Sequence, residues 1–481
     1  MKNNKILYFV KMITLAWLLV FQSCSEDVLD TAPSDEVDLE LAVSNVANAE
    51  ATLLGAYSRF RSGLYYTGTL TALGDIMTGN ASITSINNGI YAFMYRYDFN
   101  SATQDVDDVW NRVYSIIGNV NPIIVAMPDY DDPNDPDIGR KDQITGEAHA
   151  LRALAYFDLL RIYGERMNNP GSEFGVPIPT PQIIPSTDPQ PRSSVQDVLN
   201  LIISDLNTAI GLMDGDESDK SRVNRNMAYA LLSRVYLYTE NYTEAINAAN
   251  NVGGVSLITN AGDFNNFWRN SAGNELIWKI AVTPVDGANS FSWTYLFPVN
   301  TIRQDYIVTQ EVLDLYEAGD YREPVYYTPM QSSADGQVRN TVTKFPDNPA
   351  INQSGVVEIM PFRYAEVILN RMEAYYESGN EGSALSDLNT LRAARGLGSV
   401  SLSGATLRQA IRDERRKELA FEGHYWHDLK RWEVDMVRVQ EESCTSCTLT
   451  IPSNSHFWLF PVPVAETDTN PNVTQAPGYS N

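Results

Sequence analysis

Between Ile411 and Trp432 the sequence concentrates side chains able to move protons: Asp413, Glu414, Glu418 and Glu422, interleaved with Arg415 and Arg416. Glu414 and Glu418 stand four residues apart, as do Glu418 and Glu422, so on a helix each pair repels unless arginines intervene. Arg415 and Arg416 can do so by bidentate pairing. Alternatively, Glu414 and Glu418 could form the acid/base pair of a glycoside hydrolase. His424 and His427 lie three apart on one face of the same predicted helix and could in principle share a metal ion. Neither sits in an H-E-x-x-H context, and Tyr425 and Trp426 beside them favour packing. No G-x-S-x-G elbow, G-x-x-x-x-G-K-[S/T] loop or G-x-G-x-x-G turn occurs, so nucleophilic and nucleotide chemistry have no visible seat and no cofactor is expected.

The aromatic content points elsewhere, with 26 Tyr, 16 Phe and 8 Trp. Sugar rings offer apolar C–H faces that stack on aromatic rings, while their hydroxyls need Asn, Asp, Gln or Arg at the edge. Two segments combine these types. The first holds Asn87, Asn88, Tyr91, Phe93, Tyr95 and Arg96; the second holds Asp286, Asn289, Phe291, Trp293 and Tyr295. In Ser290–Phe297 the aromatics fall on alternate positions, so an extended chain places them on one face. That face either packs inward or forms an open platform, and four aromatics in a row favour the platform.

The elements that must position these residues read as mainly helical. Apolar residues recur at helical spacing over Ser44–Arg61, with Val46, Leu53, Leu54, Tyr57 and Phe60 on one side, and again over Val106–Met127. Gly146–Tyr163 is a further helix, with small residues for close packing and Gly164 to cap it. Ala228–Leu237 with Tyr242–Ala245, and Tyr364–Tyr376 with Ala384–Leu391, repeat one grammar of paired helices around a short turn, as in tetratricopeptide units. Repetition of a helical pair predicts a superhelical scaffold. The stretch Tyr65–Phe99 shows no helical period and reads as a long loop with short strands, and 257–335 is irregular and aromatic-rich. Loops on a rigid scaffold are where binding residues concentrate. The acidic run Asp129–Asp137 lacks the glycine of a calcium loop and reads as a solvated linker.

Three lysines, an apolar run Met12–Phe21 and then Gln22-Ser23-Cys24 form an export signal too short to span a bilayer. A cysteine at that position fits a bacterial lipoprotein signal, with Cys24 the lipidated first residue. The acidic stretch that follows suits a surface tether. In an exported chain Cys444 and Cys447, spaced C-x-x-C, more often form a local disulfide than a redox centre. Zinc would need more ligands than His456 nearby supplies, so no metal is expected. The formal net charge of −25, without a basic stripe, argues against nucleic-acid binding.

Taken together, the tether Cys24–Pro33, Gly146–Gly164, Arg363-Tyr364-Ala365-Glu366, Ile411–Gly423 with Asp428–Trp432, Phe460–Pro463, Asn470-Pro471-Asn472 and Gln475–Tyr479 resemble, in order and spacing, the SusD/RagB family of Bacteroidetes outer-membrane lipoproteins. The resemblance covers nearly the whole chain after the leader. It implies a mainly α, tetratricopeptide-like fold of four helical units with irregular loop and short β insertions near 62–105 and 255–345. On that pattern residues 1–23 are the signal peptide, 24–40 the flexible tether and 41–481 the SusD-like domain. It also implies a SusC-type TonB-dependent transporter as partner, a glycan as ligand, and a lipid anchor on the extracellular side of the outer membrane. Members of this family bind rather than cleave, so the run around Glu414 and Glu418 is expected to be scaffold and the protein not an enzyme. A peptide-binding relative on the same fold is the alternative function, and a secreted hydrolase a remoter one.

Overall fold

The computed structural model describes residues 39–182, 188–282, 304–345 and 357–480. Cys24 and the segment carrying Asp286, Asn289, Phe291, Trp293 and Tyr295 lie outside these residues. The N-terminal half runs α1 (Val46–Phe60), α2 (Thr69–Ile76), β1 (Ala81–Ile83), α3 (Ala92–Arg96), α4 (Gln104–Ala126), α5 (Lys141–Tyr163) and α6 (Val195–Leu212). Next come α7 (Arg225–Tyr238), α8 (Tyr242–Asn250), α9 (Ala261–Asn270), β2 (Leu276–Ile280), β3 (Tyr306–Val308), α10 (Gln310–Leu313) and α11 (Glu323–Tyr326). The hairpin β4 (Tyr327–Gln331) and β5 (Val338–Val342) and the strand β6 (Ile359–Arg363) precede α12 (Tyr364–Glu377), α13 (Glu381–Ala394) and α14 (Gly404–Leu419). Last are α15 (Tyr425–Trp432), β7 (Met436–Val437), β8 (Thr450–Ile451) and α16 (Val464–Thr469). The molecule is a helical scaffold with four two-stranded antiparallel sheets among the described residues: β1–β3, β2–β6, β4–β5 and β7–β8.

Local sequence sets the helix starts. Asn45, Ser194, Asn224 and Asn260 each stand before a helix in extended or near-extended backbone, and each side chain accepts the amide three residues on. Asp135 adds a second acceptor to α1: its carboxylate takes the Val46 amide at 3.0 Å and the Tyr130 hydroxyl at 2.8 Å. The acidic run is therefore not simply a solvated linker, because Asp135 is buried against that helix start.

The two repeats read in the sequence are the hairpins α7–α8 and α12–α13, and α12 packs on both α7 and α8, so the units stack. Helix α5 lies between α4 and α6 and is buried from Ile144 onward apart from His149. Its small residues permit this: a Cβ at Gly146 would come within 2.8 Å of the Met213 side chain. Arg152 ties the layer together, giving Nε and Nη2 to Asp205 on α6 and Nη1 to Asn121 on α4.

The structure corrects four sequence-based boundaries. Tyr65–Phe99 contains α2 and α3; both are short, and Thr69, Thr71, Gly74 and Asp75 within α2 read as loop residues. Helix α9 lies in a stretch expected to be irregular. Leu54 is exposed, and α1 instead buries Val46, Ala49, Leu53, Ala56 and Phe60. Finally, Ile411–Trp432 is not one helix. It breaks at Ala420–His424, where Phe421 and Gly423 take φ of 64° and 83°. The break is held by Asp75, whose carboxylate accepts the amides of Phe421 (2.9 Å) and Gly423 (2.8 Å). Gly74 lies against the same turn, so closely that a Cβ there would sit 2.3 Å from the Gly423 carbonyl oxygen.

Candidate functional site

The carboxylates flagged as an acid/base pair are the centre of a buried charge network. Glu418, on the last turn of α14, is inaccessible to solvent and accepts from Arg322 Nη1 (3.0 Å), Arg363 Nη1 (2.5 Å) and Arg395 Nε and Nη2 (2.9 and 2.8 Å). Arg395 also forks onto Glu275, Arg322 onto Asp320, and Arg363 and Lys344 onto Glu422. Glu414 is neutralised by Arg322 (2.6 Å) and Lys417 (2.8 Å). Burial pushes the Glu418 carboxyl up, but the charges of Arg395 and Arg363 outweigh it and hold the group well below the usual range. In Glu414 the same contest, won by Arg322 and Lys417, also lowers the carboxyl. A general acid needs a proton near neutral pH and a path to substrate. Neither group has either, and the network instead joins α9's flank, β6, α13 and α14.

The two histidines no longer share a helical face, since His424 precedes α15 and His427 lies within it. Both are buried, and burial together with nearby arginines holds each imidazole well below its ordinary value, hence neutral. Among the described residues no group of three or more His, Cys, Asp or Glu side chains is placed to hold a metal. Cys444 and Cys447 are disulfide-bonded.

The first aromatic segment forms a surface loop on a rigid base. β1 leads into it and pairs with β3, in register Ala81 to Val308. Asn88 is exposed at the tip, its amide donating to the Asp305 carboxylate at 2.8 Å; the Asn87 side chain donates to the Asp305 carbonyl and accepts the Gly89 amide. Phe93, 57% exposed, projects from the short helix α3. Arg96 is half-buried, with Nε lacking a hydrogen-bond partner among the described residues. Tyr91 and Tyr95 face inward. Tyr91, at φ 50°, is buried with its hydroxyl 3.1 Å from Thr69 Oγ1, and Tyr95 donates to Gln440 Oε1 at 2.7 Å. The loop thus exposes Asn88 and Phe93, leaves Arg96 half-buried beside them and uses its tyrosines as footings.

Most of those footings come from a part of the chain the sequence did not connect with the loop. The excursion 438–449, closed by the pairing of β7 with β8 and carrying the disulfide, runs alongside it. The Arg438 guanidinium donates to the Tyr95 carbonyl and lies 3.6 Å from the Tyr95 ring centroid. Gln440 donates to Ser82 Oγ, Thr448 donates to the Arg96 carbonyl, and Glu442 accepts from the Ser85 amide and hydroxyl at 3.0 Å. Arg339 on β5 pairs with Glu442 and with Asp335. The contacts of Arg438, Gln440, Glu442 and Thr448 with the loop span more than 340 residues of sequence, and only the C-x-x-C spacing hinted that a closed loop lay there. Gln304, just before β3, accepts the Thr84 hydroxyl through its carbonyl and donates to Thr341, so the chain entering β3 is anchored beside the first segment.

Such an arrangement, helical pairs forming a rigid body with a polar and aromatic loop surface braced on one side, defines a binding scaffold. The chain belongs to the SusD/RagB family. One family model, described as "SusD family", matches residues 342–479, and another, described as "Starch-binding associating with outer membrane", matches 29–237. The SusD-like protein P38 of Formosa agariphila is 26% identical, the match covering 88% of this chain and 90% of that protein. A SusD-like protein of Bacteroides ovatus is 24% identical over 86% of this chain and 80% of that one. Among solved structures, a putative sugar binding protein from Bacteroides vulgatus superposes with a TM-score of 0.80 at 29% identity, covering 91% of this chain and 99% of that one. A SusD superfamily protein from Bacteroides thetaiotaomicron also scores 0.80, at 24% identity, over 90% and 100%.

Proposed function

We propose that this protein is a carbohydrate-binding lipoprotein of the outer membrane that captures a glycan and passes it to a SusC-type TonB-dependent transporter. The observation that carries the reading is the match of residues 29–237 to a family described as starch-binding and associated with the outer membrane. The neighbour of known structure titled a putative sugar binding protein supports it. On this reading residues 1–23 are the signal peptide, Cys24 carries the lipid and 24–40 form the tether. The ligand rests on Phe93, Asn88 and Arg96, joined by Trp293, Tyr295, Phe291, Asn289 and Asp286. Aromatic faces stack on the sugar and the amides and charges bond its hydroxyls. Tyr91 acts from beneath, by fixing the loop. No bond is cleaved, in keeping with a Glu418 that is buried and held ionised.

The test is calorimetric titration of residues 25–481 with panels of neutral oligosaccharides and of peptides. Binding of a glycan without product formation supports the reading. Binding of peptides alone would assign the protein to peptide capture on the same fold, and release of shorter sugars would make it a hydrolase.

A further inference from the structure

A second cleft, built on the helical pairs rather than the loops, is lined by three arginines and four glutamates that are not all directly paired. It has a volume of about 390 Å³ and opens between the α7–α8 turn, α12, α14 and α15. Helix α14 presents Arg408 and Arg412, four residues apart, into it. Arg408 is half exposed and reaches Glu377 only at 3.3 Å. Arg412 has no carboxylate within 4.0 Å and no side-chain hydrogen bond among the described residues; its guanidinium lies 4.7 Å from the Trp432 ring centroid. The obvious acceptor nearby, Glu373, is already occupied by both Nη atoms of Arg431 and by Trp432 Nε1, all at 2.6 Å. In a chain of formal charge −25, an arginine at the wall of a cleft that feels Glu373 and Glu377 only at a distance, with no direct ion pair among the described residues, is conspicuous. Partial burial presses against its cationic form; Glu373 and Glu377 favour that form and the like charges of Arg408 and Arg431 oppose it, leaving the group below its ordinary value.

The rim supplies the complementary chemistry. Glu240 and Glu433 both take left-handed backbone, φ 58° and 55°, where glycine or asparagine would be easier. Both line the cleft, Glu240 bonded only to Asn168 Nδ2 (2.9 Å) and Glu433 reaching Arg166 at 3.4 Å. Acceptors of this kind bond hydroxyls, and Tyr242 adds a phenol.

We propose that this cleft binds a sugar unit bearing a carboxylate, a uronate, with the carboxylate on Arg412 and Arg408 and the ring hydroxyls on Glu240, Glu433 and Asn168. Guanidinium–carboxylate pairing is bidentate and directional, so charge on the sugar decides occupancy. The site is separate from the loop surface and does not require that surface to bind glycan.

The experiment titrates the soluble chain, residues 25–481, with trigalacturonate and with the neutral galactose trisaccharide. The expected result is at least tenfold tighter binding of trigalacturonate, weakening as salt is raised from 50 to 500 mM. Arg412→Gln should lose at least tenfold with an unchanged Tm, and Arg412→Lys should lose less. Equal binding of the two trisaccharides, no binding of trigalacturonate, or an Arg412→Gln protein that binds as wild type would each overturn the proposal. Failure of the neutral-glycan panel with trigalacturonate binding intact would refute the loop-site function and leave this site standing.

Discussion

Glu418→Gln separates a structural carboxylate from a catalytic one. Around Glu418 the cations Arg322, Arg363, Arg395, Lys344 and Lys417 face an equal number of anions, Glu275, Asp320, Glu414, Glu418 and Glu422, all buried except Glu422, which is nearly so. The amide keeps the shape but removes one negative charge and turns a donor towards guanidinium groups that only donate. Every arginine retains a second acid, so the fold has a partner for each, yet one positive charge is left uncompensated in the interior. Breaking a buried pair in this way costs about 3–5 kcal/mol. Unfolding entropy scales with length, so for a cooperative unit of this size each kcal/mol lowers Tm by about 1 °C. Differential scanning calorimetry at pH 7 should therefore show a drop of about 3–5 °C, with glycan affinity in the surviving folded protein near wild type. A Tm within about 1 °C of wild type would refute the argument that the network holds these helices together. Loss of a glycoside-cleaving activity at unchanged Tm would make Glu418 a catalytic group.

Lys430 is buried, donating to the carbonyls of Arg161 and Gly164 at 2.9 Å, and burial pushes its ammonium down to about 7. Because the folded value lies below the unfolded one, the unfolded chain binds more protons above pH 7, and stability gains as pH rises from 7 towards 10. Wild type should therefore gain on Lys430→Met by about 2 kcal/mol between pH 7 and pH 9 in urea titrations; a constant difference would show that Lys430 titrates normally. Gly74→Ala should prevent the close approach of α2 to the Gly423 turn, giving poor folding or a Tm loss larger than that of Glu418→Gln, and a Tm within 1 °C of wild type would contradict the contact. Cys24→Ala should move the protein from membranes to soluble fractions in cells lacking its transporter, and retention on membranes would refute lipidation at Cys24.

The helical pairs were legible because their signal is local. Small and aromatic residues at fixed spacing in 228–252 and 364–395 define hairpins before any tertiary contact is known, and Asn or Ser before a helix marks its start. Helix α2 was not legible, since it spans only about two turns and carries Thr69, Thr71, Gly74 and Asp75, residue types that read as loop. The break in Ile411–Trp432 was hidden for a different reason: Gly423 alone is a weak signal, and Asp75, which fixes the turn, lies about 350 residues away. In the loop surface, residue type suggested Asn88, Phe93 and Arg96, but could not separate outward Phe93 from inward Tyr91. Tyr91 is held inward by Thr69, and its neighbour Tyr95 by Gln440, a partner remote in sequence. That Arg412 has no direct ion pair among the described residues, while Arg431 takes Glu373, is likewise a fact of geometry.

The central claim is that an aromatic loop surface captures glycan, and calorimetry of the loop variants tests it most directly. Phe93 is 57% exposed, so Phe93→Ala removes little packing and should leave Tm within about 1 °C of wild type. Stacking contributes about 0.5–1.5 kcal/mol beyond burial, so affinity for the best neutral glycan of the panel should fall about 2–12-fold, with Trp293→Ala losing about tenfold or more. Wild-type affinity in both variants would contradict the account, as would a loss of binding matched by a loss of Tm.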